Sequence, residues 1–74
     1  MDTLGKRIAF YRSVKKITQT QLAKAVGVTR STISQWENDF ISAPNATHLM
    51  AAAACLGVNM NDLMGTKKRT QVFA

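Results

Sequence analysis

Residues 19 to 38 read QTQLAKAVGVTRSTISQWEN, and their spacing predicts two short helices joined by a tight turn. Thr18 stands where it can cap the first helix, with Gln21 three residues on to reach back in a capping box. Leu22, Ala23 and Val26 share one face of that helix. Gly27 supplies the left-handed conformation that ends a helix and lets the chain turn within three residues. Val28 plugs the turn, Thr29 caps the second helix, and Ile33 and Trp36 face back inward. Ala23 is small where two helices meeting at a steep angle leave little room.

This is the pattern of a helix-turn-helix, whose second helix enters the DNA major groove. An ordinary helical hairpin shares each feature singly, so the weight lies in their joint spacing. At about 100° per residue, Arg30, Ser34, Asn38, Ser31 and Gln35 fall on an arc of about 140°. Thr32 and Glu37 border it. Every group on the arc donates or accepts hydrogen bonds, which suits base edges: Arg with guanine, Gln with adenine, Ser with either. Any soluble helix needs a polar face, and a solvated surface is the bland alternative. Within a helix-turn-helix of a basic chain, readout is the better reading.

Size and charge agree. Seventy-four residues make one domain with a small core. Ten Lys and Arg against four Asp and Glu give a net charge of +6, and the pI is about 10.1. That balance favours a polyanionic partner, although membrane-surface peptides and ribosomal proteins are also basic. No apolar run approaches the ~20 residues that cross a bilayer, and MDTLGKRIAF has no signal-peptide core. A soluble protein of the cytoplasm is expected, without a membrane partner. The single cysteine, Cys55, excludes an internal disulfide and fits a reducing compartment.

The rest of the chain reads as helices. A first helix is expected from about Thr3 to Lys16, with Leu4, Ile8 and Tyr11 as its core stripe and Ile17 following. Phe10 and Val14 lie off that stripe, so the helix is either wrapped on two sides or shows an apolar patch. Asp39 to Asn45 is a loop ended by Pro44, which suits entry to a new helix. A fourth helix runs from about Asn45 to Leu56 and stops at Gly57. A short fifth has Asn59 as cap and Met60, Leu63 and Met64 as apolar residues. Met60 and Met64 fit either the core or a partner face. After Gly65 comes a basic tail, Thr66 to Ala74, with Lys67, Lys68 and Arg69. The expected organisation is an all-α five-helix bundle over residues 1–65 and a tail over 66–74.

With this order of elements, the chain resembles the lambda-repressor-like DNA-binding domains of phage repressors, Cro proteins and XRE-type regulators. The matching stretches are LGKRIAFYR, ITQTQLAKAVGVTRSTISQWEN and APNATHLMAAAACLGVNMNDLMG. The resemblance implies a bundle whose third helix reads operator DNA, usually as a symmetric dimer. By the same resemblance Gln19 holds a phosphate and braces the third helix. Arg30, Ser31, Ser34 and Gln35 match positions that contact bases or nearby phosphates, and Thr29 and Asn38 match flanking phosphate contacts. Arg12 and Glu37 match a salt bridge between helices one and three. The loop departs from the family: DFISAP lacks the basic residues of many relatives. Only Ser42 and Asn45 offer uncharged polar side chains there, and Phe40 and Ile41 suit a core or dimer contact.

Other chemistries find little support. His48 and Cys55 each stand alone in the sequence, short of a metal set or a nucleophile with its base. Asp2, Asp39 and Asp62 are scattered, as caps or solvated charges are. The Lys67–Arg69 run suits either a solvated end or an arm on the DNA backbone or minor groove. The sequence therefore predicts a non-enzymatic, sequence-specific regulator of double-stranded DNA, acting as a homodimer on palindromic operators. It needs no cofactor, metal or small-molecule ligand. At this length a phage or prophage Cro-like repressor is expected. The alternatives are the N-terminal domain of a larger phage repressor, a restriction-modification controller, and an antitoxin or protein-binding adaptor.

Overall fold

The computed structural model describes residues 3–39 and 45–65. Its helices are α1 (Leu4–Lys15), α2 (Gln19–Val26), α3 (Arg30–Glu37), α4 (Ala46–Leu56) and α5 (Met60–Met64). No strand occurs among the described residues, and the fold is all-α as expected. Helices this short are marginal in water and owe their stability to capping and packing. Each opens on a side-chain cap. Thr3, Thr18, Thr29, Asn45 and Asn59 accept from the backbone N–H of Lys6, Gln21, Thr32, His48 and Asp62 in turn. Each such cap contributes about 1 kcal/mol.

All five helices feed one core. Ile8, Leu22, Ile33 and Leu63 are completely buried, one from each of α1, α2, α3 and α5. Trp36, Leu49 and Leu56 close around them, and the small Ala23, Ala52 and Ala53 lie at buried positions in the same cluster. Short side chains there allow close helix approach, so that α2 packs on both α3 and α4. Leu4, Tyr11 and Ile17 are half-buried against this core, as the α1 stripe predicts. Phe10 and Val14 are exposed, which resolves the open choice for α1 in favour of an apolar patch. The two methionines of α5 part ways, Met60 packing on the core and Met64 standing exposed. The expectations for Asp2, Phe40, Ile41, Ser42 and Pro44, and for Lys67, Lys68 and Arg69, lie outside the described residues.

One junction has no counterpart in the sequence reading. Asp39, at φ 59°, turns the chain after α3 and brings its carboxylate to the start of α1. Its Oδ2 accepts from the Thr3 hydroxyl at 2.8 Å, and its Oδ1 from the Gly5 N–H at 3.2 Å. Asp39 is thus a cap, but of α1, thirty-odd residues away in sequence. A negative charge there also complements the positive end of the helix. Gly5 makes the approach feasible, because a Cβ at that point would overlap the Trp36 carbonyl oxygen and the Asp39 carboxylate.

Candidate nucleic-acid interface

The turn between α2 and α3 forms as its residues dictate. Thr18 and Gln21 make the full capping box: Gln21 N–H donates to Thr18 Oγ1 at 3.0 Å, and Thr18 N–H to Gln21 Oε1 at 2.8 Å. Gly27 sits at φ 91°, and the N–H groups of Gly27 and Val28 both donate to the Ala23 carbonyl, at 2.8 and 3.0 Å. Val28 packs on the core. Thr29 Oγ1 accepts from Thr32 N–H at 3.2 Å and lies 3.0 Å from the Thr32 hydroxyl. This side chain serves first as a helix cap.

Helix α3 then divides sharply between its two faces. Ile33 and Trp36 are buried, and the Trp36 indole packs against His48 of α4, ring centroids 5.9 Å apart. Arg30, Ser31, Gln35 and Asn38 are exposed on the other side, with Ser34 half-buried between them. Asn38 turns its amide onto the Ser34 carbonyl at 2.8 Å, closing the last turn of α3. The predicted polar arc is therefore an outward face of the molecule.

Behind that face lies a polar network that crosses three helices. Arg12 of α1 grips Glu37 with two prongs, Nε to Oε2 at 2.7 Å and Nη2 to Oε1 at 3.2 Å. Its remaining arm, Nη1, donates to the Ile17 carbonyl at 2.9 Å, tying down the turn into α2. The Glu37 side chain is only 7% exposed and that of Arg12 22%. In such a site charged groups must be fully hydrogen-bonded to offset their lost hydration, and the fork geometry does this. Gln19 Nε2 donates to Glu37 Oε1 at 3.0 Å, and Arg30 Nη1 donates to Gln19 Oε1 at 3.3 Å.

The Arg12–Glu37 pair expected from the resemblance is thus present. The bracing of α3 by Gln19, also expected from the resemblance, takes the form of its two bonds, whose partners Glu37 and Arg30 were not read from the sequence. They join helices whose relative placement no local pattern encodes. Of the ten predicted contact residues, Gln19, Thr29, Arg30, Ser31, Ser34, Gln35 and Asn38 cluster on or beside α3, while Lys67, Lys68 and Arg69 lie outside the described residues. Among the described residues no three His, Cys, Asp or Glu side chains gather as a metal site would require. No helix among them is long and apolar enough to cross a membrane.

A helix-turn-helix family model matches residues 14–63, which hold the whole capped pair and most of the core behind it. The chain belongs to that family. Within it the type is the lambda-repressor-like or XRE-type domain. The immunity repressor protein of Bacillus phage phi105 is 35% identical over 63 residues, 85% of this chain and 43% of the relative. The chain therefore spans less than half the length of that protein. Among solved structures, the P22 c2 repressor in complex with a synthetic operator superposes with a TM-score of 0.80 at 36% identity. That match covers 86% of this chain and 96% of the P22 chain. SinR in its complex with SinI also gives a TM-score of 0.80, at 31% identity, covering 92% of this chain and 66% of the other.

Proposed function

We propose that this protein is a sequence-specific, double-stranded-DNA-binding transcription regulator of the phage-repressor type, with α3 as its reading helix. The observation that carries the reading is the exposed polar face of α3, anchored from behind by Ile33 and Trp36. It sits on the fold that, in the P22 c2 repressor, has been seen with an operator. In this reading Arg30, Ser31, Ser34 and Gln35 meet base edges. Gln19, Thr29 and Asn38 hold flanking phosphates, and Lys67, Lys68 and Arg69 add backbone contacts. Phosphate contacts fix register and the Arg30 arc chooses sequence. Two copies placed one helical turn apart, about 34 Å, would cover a palindromic operator and occlude a promoter, as a Cro-like repressor does.

A second reading draws on length. Because the match covers 43% of the phi105 immunity repressor, this reading makes the same face the DNA-reading part of a longer repressor. The chemistry at α3 is unchanged. Selection of bound molecules from a random duplex pool tests the common core of both readings. A palindromic consensus with half-sites about 10 base pairs apart is expected. Binding that is equally tight on every sequence would refute sequence-specific recognition.

A further inference from the structure

We infer that Glu37 is a positioning residue for Arg30, acting through the side-chain amide of Gln19. Its consequence for DNA rests on the function proposed above, whereas the tether itself is a property of the free chain. The argument begins with what each group can donate. A carboxylate only accepts, and an amide has one accepting and one donating end. Glu37 Oε1 lies 3.0 Å from the Gln19 amide, so the nitrogen must face it, since the reverse sense would set two oxygens against each other. The Gln19 oxygen is thereby turned towards Arg30, whose Nη1 reaches it at 3.3 Å. The Glu37 side chain is 7% exposed, so water screens the penalty for the wrong sense poorly. Arg12 holds both carboxylate oxygens from the other side and keeps Glu37 from turning away.

Positive Arg12, negative Glu37, the oriented Gln19 dipole and positive Arg30 thus alternate along one line of hydrogen bonds. Arg30 is exposed and long, and a free arginine would lose much rotamer freedom on meeting an acceptor. A tether present beforehand removes part of that cost. One Nη hydrogen is spent on Gln19, and the rest of the guanidinium fork remains for a paired acceptor such as the O6 and N7 of guanine. Glu37 is too enclosed to touch DNA itself, so its influence passes through Gln19.

Two variants and two readouts test this. Glu37→Gln places an amide that both donates and accepts, so Gln19 loses its fixed sense. Gln19→Met removes the amide but leaves the Arg12–Glu37 pair intact, which keeps the test open if Glu37→Gln fails to fold. In the free 74-residue chain, nitrogen relaxation at Arg30 Nε should show an ordered side chain that loosens in both variants. In binding, four duplexes differing at the base pair most sensitive to Arg30→Ala should be discriminated roughly 5- to 150-fold by the wild type. Both variants should lose most of that ratio, and neither should lower it further in an Arg30→Ala background. An Arg30 equally mobile in all three proteins overturns the inference, as does a loss of affinity equal on all four duplexes. Absence of binding to any duplex overturns it together with the reading it rests on, whereas discrimination lost only with Arg30→Ala overturns the inference alone.

Discussion

Arg30 stands in the first turn of α3, exposed and held by Gln19 at 3.3 Å. Its position places a two-pronged donor at the leading end of the outward face. Arg30→Ala is expected to cost about 1–3 kcal/mol on the preferred site and to relax preference at one base pair. Comparison of affinities on specific and random duplexes checks this, and an equal loss on both would make Arg30 a phosphate contact. Gly5 poses the opposite problem, a residue whose value is the side chain it lacks. In an open helix Gly→Ala gains about 1 kcal/mol of propensity. Here the added methyl would run into the Trp36 carbonyl and the Asp39 carboxylate. A backbone carbonyl cannot rotate aside, so overpacking of about 1–3 kcal/mol or more outweighs the gain. Gly5→Ala should lower the melting temperature by several degrees, and a melt at or above that of the wild type would contradict the close approach of α1 to α3.

At the scale of the element, α3 depends on its inward side as much as its outward one. Eight residues do not make a stable helix alone. Thr29 secures the start, but Ile33 and Trp36 supply most of the burial. Trp36→Ala is therefore expected to cost about 3–5 kcal/mol, close to the ~5 kcal/mol a small domain has in total. Circular dichroism should find most molecules unfolded at room temperature. A cooperative transition within a few degrees of the wild type would mean that the indole contributes little packing. The pairing of α2 with α3 was legible because each signal is local: the capping box, the left-handed Gly27 and the apolar spacing all act within a turn or two. The anchoring of α1 was not. Asp39 and Gly5 meet only because α3 folds across the start of α1, although a glycine inside a helical pattern is itself a hint of close packing.

For the whole molecule the governing quantity is charge. A net +6 favours any polyanion, and salt dependence separates that general attraction from sequence reading. Lys67, Lys68 and Arg69 bear on this term. If they neutralise phosphates, deleting residues from Lys67 onward should weaken binding to all duplexes alike and flatten the slope of log affinity against log salt by about 1–3 units per subunit. Base preference should persist, since it is assigned to α3. A slope left unchanged by the deletion would remove the tail from the interface.

What the sequence determined by itself is everything that short-range physics encodes. Helix starts follow from Thr and Asn caps, helix ends from Gly27, Gly57 and Gly65 at positive φ, and the inward faces from the apolar spacing within each helix, around Ile8, Leu22, Ile33 and Leu63 in turn. The polar arc of α3 belongs to the same class, because helical geometry alone fixes which side chains share a face. The Arg12–Glu37 pair was anticipated from resemblance, not from spacing. Tertiary structure decided the rest. It chose an exposed Phe10 and Val14 over a helix wrapped on two sides, and it parted Met60 from Met64. It also brought Glu37 to Gln19 and Gln19 to Arg30 across 18 and 11 residues of sequence. The physical reason is common to all of these. Each depends on the angle and distance at which one helix meets another, and those are set by how the whole core packs, which no single stretch of chain contains.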